Sequence, residues 1–304
     1  MIRMLVTGAR GQVGTEVARE LAGRAEVVAH DRSTLDLAHA QEIAARVREA
    51  RPDVIVNCAA YTAVDRAEGE PDLARTVNAV APGILGEEAK RAGALLVHYS
   101  TDYVFDGTKR GAYTETDATN PVSVYGRTKL EGERAIVQSG CRHVILRTSW
   151  VYGPHGANFM LTMLRLAATR DELRVVDDQR GAPTSARAIA RLTRELLDRN
   201  GDTDEIARRE VDEVAGHTGI YHATAAGETT WFGFAQAIFD EARRKRVPGR
   251  SPRLVAITTA EYPTPARRPA NSVLSSARLQ STFGVAIADW RRGLEEAVSA
   301  LPAG

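Results

Sequence analysis

Two side chains one helical turn apart could move a proton. In Tyr125-Gly126-Arg127-Thr128-Lys129 the tyrosine and lysine stand at i and i+4, so on a helix the phenol and the ammonium share a face. A free phenol titrates near 10, too high for acid–base work at neutral pH, and a nearby cation favours its ionised form. The pair alone is a common surface pattern. Thr101 sharpens it. Tyr99-Ser100-Thr101-Asp102-Tyr103 closes an apolar run, and a hydroxyl at a strand's C-terminal end is placed to hold an oxygen over a cleft.

A second constellation could hold a diphosphate. Thr7-Gly8-Ala9-Arg10-Gly11-Gln12-Val13-Gly14 follows a strand-like run and opens a helical pattern. Gly8 permits the tight turn, Gly11 lets backbone approach a pyrophosphate, and Gly14 lets the helix pack on the strand; the helix N-terminus supplies free N–H groups. Glycines often only turn a chain, but strand before and helix after is the context dinucleotide binding requires. The next strand ends at His30-Asp31-Arg32. Asp31 suits a ribose hydroxyl, as in NAD, and Arg32 suits a 2′-phosphate, as in NADP, so both cofactors fit. Asp36 and Leu37 belong near an adenine edge, or else are a helix cap and a core leucine.

Positioning these groups takes a sheet. Ile2–Thr7, Glu26–Ala29, Val54–Asn57, Leu95–Tyr99, Val144–Arg147 and Ile220–Ala223 are short and rich in Val, Ile and Leu, as strands covered on both faces are. Val13–Ala22, Ala40–Glu49, Leu73–Arg91 and Val124–Gln138 carry helical periodicity between them. The alternation predicts α/β architecture: a Rossmann-type doubly wound parallel sheet with a smaller, mainly helical C-terminal substrate-binding lobe. Helices are expected over Asn158–Thr169, Ser185–Asp198, Trp231–Lys245 and Ala286–Leu301, a surface insertion over Gly201–His217, and a solvated loop or an anion-facing patch over Arg243–Arg253. The expected division is 1–149 with 181–226 for the dinucleotide, and 150–180 with 227–304 for the substrate.

Composition excludes other classes. The 304 residues carry 40 basic and 39 acidic side chains, a net charge of +1 that argues against a nucleic-acid partner. No apolar run is long enough for a membrane span, and no signal peptide precedes the first strand. Cys58 and Cys141 are too few for a disulfide framework and read as reduced thiols of a cytoplasmic protein. The 7 histidines lack metal-ligand spacing.

The order of Gly8–Gly14, Thr101, Tyr125 and Lys129 resembles the extended short-chain dehydrogenases/reductases. Arg51–Asn57, Tyr61–Asp65, Ser100–Gly107, Arg147–Tyr152, Asp178–Thr184 and Arg268–Ser272 narrow the likeness to the dTDP-4-dehydrorhamnose reductase family, over nearly the whole chain. The resemblance implies reduction of the C4 carbonyl of dTDP-4-dehydro-L-rhamnose to dTDP-L-rhamnose with NADPH or NADH, the last step in making that sugar nucleotide. It implies Tyr125 as proton donor, Lys129 on the nicotinamide ribose with the nicotinamide helping to lower the phenol, and Thr101 on the carbonyl oxygen. Cofactor contacts are implied at Gly8, Arg10, Gly11, Gln12, Val13, Gly14, Asp31, Arg32, Asp36 and Leu37, and at Ala59, Ala60, Tyr61, Tyr125 and Lys129. Sugar contacts are implied at Thr62, Val64, Thr101, Asp102, Tyr103 and Trp150, with Arg268 clamping the diphosphate. Trp150 is otherwise a core aromatic and Arg268 a surface arginine. Related dehydratases place Glu two residues after the threonine; Tyr103 stands here, so elimination of water lacks its second acid–base group.

Some members carry a divalent ion bridging a dimer. Glu16 matches one ligand position, but Arg187 stands where another carboxylate belongs, and Arg191 follows one turn later. Hard cations need oxygen ligands, so a metal-bridged dimer is not expected; Mg2+ with Glu16 stays open, as do monomer and homodimer. Two rival readings share the fold: an NAD-dependent sugar-nucleotide epimerase, and a non-catalytic regulatory subunit, against which the intact Thr101, Tyr125 and Lys129 argue.

Overall fold

A computed structural model describes residues 2–197 and 204–301. Six strands form the central sheet: β1 (Arg3–Thr7), β2 (Glu26–His30), β3 (Val54–Asn57), β4 (Leu95–Thr101), β5 (Arg142–Thr148) and β6 (Gly219–His222). All pairs are parallel, in the order β6-β5-β4-β3-β1-β2. Successive side chains serve opposite faces. Met4, Val6, Val54, Val56, Val97 and Leu146 join one core, and Leu5, Ile55, Leu96 and Ile145 the other. The first core is covered by α1 (Gln12–Leu21), and the second by α2 (Ala40–Ala50), α3 (Ala81–Ala92) and α4 (Val124–Ser139). From β1 the chain steps outward to β2, then crosses back to β3 on the other side of β1. Ligands of such sheets bind at the strand ends over that switch point.

The expected helix over Leu73–Arg91 is three pieces: Pro71–Arg75, a π turn over Thr76–Val80, and α3. Pro82 cannot donate to the Asn78 carbonyl, which breaks the regular ladder. The Asn78 side chain instead brackets the Tyr61 backbone, accepting from its N–H at 2.8 Å and donating to its carbonyl at 3.0 Å. Helix α4 begins where Ser123 Oγ accepts from Gly126 N at 3.1 Å and ends at Gly140, φ 67°.

Later segments depart further from the sequence reading. Helices α5 (Phe159–Ala167) and α6 (Ala186–Leu197) form as expected; Asp198 and residues 201–203 lie outside the described residues. The surface insertion read over Gly201–His217 is instead α7 (Asp204–Gly216), whose Val211, Val214 and Ala215 enter the first core beside α6. The charged residues between them mask that stripe in the sequence. After α8 (Trp231–Arg244), Arg253–Ile257 pairs in parallel with Glu172–Val176, a pairing too non-local to predict. The basic run is a solvated face: Arg243, Arg244, Lys245, Arg250 and Arg253 each pair with a carboxylate. The expected helix over Ala286–Leu301 starts late. Ile287–Asp289 pairs with Ala225–Ala226, and Asp289 then caps α9 (Trp290–Ser299), its Oδ1 accepting from Arg291 N at 2.9 Å. Among the described residues no helix is long and apolar enough to cross a membrane.

Candidate active site

A cavity of about 600 Å3 lies along the C-terminal ends of β1, β2, β3, β4 and β5. Its wall includes Gly8, Arg10, Gly11, Gln12, Val13, Asp31, Arg32, Asp36, Leu37, Ala59, Ala60 and Tyr61, then Thr62, Val64, Thr101, Asp102, Tyr103, Tyr125, Lys129 and Trp150. The residues read as two chemistries thus share one space. Gly14 lies behind it: a Cβ there would stand 2.2 Å from the Gly8 carbonyl oxygen, so its role is helix-on-strand packing. Gly8 takes φ 65°, and a Cβ there would fall 2.7 Å from Ala59 N, across the switch point. Gly11 opens α1 without a side-chain cap, leaving the first N–H groups to a ligand. These features fit a dinucleotide diphosphate.

Where the cavity meets the end of β2, Asp31 is already engaged. Its Oδ1 accepts from Ser33 N at 2.8 Å and Ser33 Oγ at 2.5 Å, and Arg10 Nε lies 2.7 Å from Oδ2. The Ser33 bonds, then Arg10, hold this carboxyl below the usual range. The Arg10 and Arg32 side chains are 84% and 82% exposed, which leaves both guanidinium groups accessible to an anion. Asp36 Oδ1 caps a turn through Ala38 N at 3.0 Å rather than starting α2, whereas Leu37 is both cavity wall and buried core.

At the catalytic end β4 and α4 meet. Lys129, 2% exposed, donates to the Tyr99 carbonyl at 2.7 Å. Burial pulls its ammonium down to about 8, against the field of Glu133. Burial pushes the Tyr125 phenol up to about 12; a bond with Thr101 opposes this and Asp102 reinforces it. The lowering expected from Lys129 is absent among the protein's own groups, since the ammonium is turned to the Tyr99 carbonyl. Thr101 Oγ1 donates to Asp102 Oδ1 at 3.0 Å and accepts from Tyr103 N at 3.2 Å. Burial raises Asp102 to about 6, opposed in part by the Ser272 and then the Thr101 hydroxyl, and its buried Oδ2 makes no well-formed hydrogen bond. The Tyr103 ring meets the Tyr125 ring edge-on, centroids 5.5 Å apart.

Beneath them lies a buried ion pair. Arg147 donates to both Glu133 oxygens at 2.9 and 2.7 Å, and Ser100 Oγ donates to Glu133 Oε1 at 2.5 Å, tying β5, β4 and α4 together. Sequence reading missed Glu133 and Arg147; their pairing is visible only once β4, β5 and α4 are assembled. It also missed Trp231, which stacks on Trp150 at 3.6 Å and 6°. Trp150 takes φ 48°, and a Cβ on Gly181 would stand 2.4 Å from its indole, so the ring is clamped at the cavity edge rather than sunk in the core.

Two expectations need correction. Arg268 does not line the cavity and is not a free surface arginine: Nη1 and Nη2 donate to Asp65 at 3.0 and 2.8 Å, with further bonds to Thr264 and Ala266. Glu16, 1% exposed, accepts from Arg19 at 2.9 Å and contacts His155 Nε2 at 2.9 Å. This chain's own side chains take the place a cation would need. Among the described residues no group of three or more His, Cys, Asp or Glu could hold a metal, and Arg191 pairs with Glu296.

Residues 2–302 match the family model described as the RmlD substrate binding domain. A dTDP-4-dehydrorhamnose reductase of Burkholderia thailandensis is 50% identical over 294 residues, 95% of this chain and 96% of that protein. This chain belongs to the dTDP-4-dehydrorhamnose reductase family. Solved structures agree across the whole fold. A dTDP-4-dehydrorhamnose reductase of Clostridium acetobutylicum superposes with a TM-score of 0.86 at 38% identity, covering 98% of each chain. That of Bacillus anthracis, solved in complex with NADP, gives 0.86 at 32% identity, covering 98% of this chain and 99% of the other. The cavity wall also holds Cys58, Leu73 and Val77, which the motifs did not reveal.

Proposed function

We propose that the protein reduces the C4 carbonyl of dTDP-4-dehydro-L-rhamnose to dTDP-L-rhamnose with NADPH, in the cytoplasm, where both thiols stay reduced. The observation that carries this reading is one cavity with the Gly8–Gly11 turn at one end and Thr101, Tyr125 and Lys129 at the other. Arg10 and Arg32, exposed beside an already engaged Asp31, favour a 2′-phosphate and hence NADPH over NADH.

When bound, the nicotinamide supplies hydride to the carbonyl carbon. The chain's residues do the rest. Tyr125 Oη gives its proton to the developing alkoxide. Burial keeps that phenol protonated until the oxygen needs it. Thr101 turns its O–H from Asp102 Oδ1 to the substrate oxygen and steadies the growing charge. Lys129 orients the nicotinamide ribose and stabilises the tyrosinate left behind. Asp102, Tyr103, Thr62, Val64 and Trp150 close around the sugar, and residues 150–180 with 227–304 form its lobe. Glu16 and Arg268 are engaged by the chain's own side chains.

The test is NADPH oxidation with a panel of 4-keto sugar nucleotides, the product identified by NMR. Stoichiometric loss of absorbance at 340 nm with the dTDP-4-keto-6-deoxy-L-sugar is expected. Tyr125→Phe should lower kcat by at least about 100-fold while cofactor affinity holds. Interconversion of sugars without net consumption of NADPH, or a fully active Tyr125→Phe, overturns the assignment.

A further inference from the structure

A chain of buried polar side chains runs from β1 to the catalytic lysine. Thr7 Oγ1 donates to Asn57 Oδ1 at 2.6 Å, Asn57 Nδ2 lies 2.9 Å from His98 Nδ1, and His98 Nε2 lies 3.2 Å from Lys129 Nζ. All four side chains are at most 2% exposed, and Thr7, Asn57 and His98 do not line the cavity. Donor accounting fixes the protons. The Ala59 backbone N–H, which can only donate, points at Asn57 Oδ1 at 3.3 Å. The amide oxygen therefore faces Ala59 and Thr7, and the amide nitrogen donates to His98 Nδ1. Burial, then the Lys129 charge, holds His98 neutral. Its one proton must sit on Nε2, aimed at the lysine nitrogen. An ammonium there meets a donor; a neutral amine accepts a hydrogen bond.

We propose that His98, locked by Asn57 and Thr7 as its Nε2–H tautomer, is a positioning residue that lets Lys129 exchange its proton near neutral pH. The proposal rests on the reading of Tyr125 and Lys129 as the proton-handling pair. A lysine that must stabilise a tyrosinate in each turnover and then help reprotonate it works best when both of its forms are accessible. Burial already loosens the ammonium's proton, and an Nε2–H facing the nitrogen adds to that, because it can donate to the amine but not accept from the ammonium. The groups facing Lys129 are few. On α4 they are Tyr125 and Glu133, the latter neutralised by Arg147 of β5. On β4 they are His98 and the Tyr99 carbonyl; the Cys58 thiol, in the same cavity wall just past β3, is kept protonated by burial. The π turn offers only neutral Asn78, bonded to Thr128 at 3.2 Å. Among the described residues Glu133 is the acid whose field favours the ammonium, burial works against it, and His98 Nε2 faces the nitrogen at 3.2 Å.

Asn57→Asp tests this with little change of shape. Its carboxylate still accepts from Thr7 and Ala59, but now accepts from His98 Nδ1–H as well. The tautomer flips, and Nε2 becomes an acceptor for the ammonium. The basic limb of the kcat–pH profile should move up from near 8 by at least about one pH unit, with the KM for NADPH near wild type. A folded, NADPH-binding variant whose limb stays in place overturns the proposal. An independent readout uses wild-type protein bound to NADP+ and labelled with 15N-histidine, with the His98 signals assigned by their absence in His98→Gln. Nε2–H shifts support the proposal, and Nδ1–H or doubly protonated shifts overturn it even if Asn57→Asp does not fold. This measurement needs no turnover, so failure of the reductase reading, seen as no NADPH consumption by wild type, is recognised separately.

Discussion

Replacing Asp102 by Asn should make the protein more stable at neutral pH and less active. This carboxyl is 2% exposed, with Oδ1 accepting from Thr101 and Oδ2 making no well-formed hydrogen bond, the Ser272 hydroxyl offsetting burial only in part. Burial moves it from an ordinary 3.8 to about 6 in the folded chain. A raised acid leaves stability intact below its unfolded value and withdraws it as pH climbs through the folded value. Ionising Asp102 in the folded state therefore costs nothing near pH 3 and at most about 3 kcal/mol above pH 6. An amide keeps the acceptor for Thr101 and carries no charge. Urea unfolding of wild type and Asp102→Asn at half-unit steps from pH 4 to 8 reads this directly, because all other titrations cancel in the difference. The variant's advantage should grow by 2–3 kcal/mol between pH 4 and 7 and then level off. A difference that stays flat over this range, or that favours wild type increasingly as pH rises, refutes the claim that the carboxylate is buried without adequate partners.

Trp150→Ala removes an indole clamped between Gly181 and Trp231 at the cavity edge. The KM for the sugar nucleotide should rise about 10-fold or more, with the Kd for NADPH changing less than about 2-fold; equal losses in both would make the indole a core element. Arg32→Ala should weaken NADPH about 10-fold and leave NADH unchanged, since only the former offers a phosphate to an exposed guanidinium. A parallel loss for both cofactors by fluorescence titration would remove Arg32 from the 2′-phosphate.

The sheet was legible because its strands must be apolar on both faces. Val54–Asn57 matches to the residue, and β1, β2 and β4 to within two. The glycine turn and the Tyr125/Lys129 pair were legible because each is a short local pattern, set in context by the strand and helix around the glycines and by Thr101 before the pair. What escaped was non-local or masked. Val211, Val214 and Ala215 are separated by charges, so α7 looked like a surface excursion. The Glu172–Val176 and Arg253–Ile257 strands lie 81 positions apart in register. Arg268 was misread because nothing local announces that Asp65, on a different segment, will take its guanidinium. His98 was hidden in an apolar strand pattern. Its partners come from β3 and α4, with Thr7 of β1 behind Asn57, and only assembly makes a lone histidine into part of a chain.

The direction of proton traffic also bears on which reaction this frame serves. An epimerase begins by taking a proton from a sugar hydroxyl, which requires Tyr125 as phenolate before the first step. Elimination needs a carboxylate beside it to shuttle a proton at the neighbouring carbons. Here burial pushes the phenols of Tyr125 and Tyr103 upward together, and they pack edge to face. Asp102 is the nearby acid, and its charge strengthens the proton's hold on Tyr125 rather than drawing it away. Taken without cofactor, the two buried phenols hold their protons and are poised to give them. Asp102 and Tyr103 stand on the first turn after β4, where Thr101 bonds both. A site so arranged favours a reaction that ends with an oxygen gaining a proton, as carbonyl reduction does, over one that begins with an oxygen losing it.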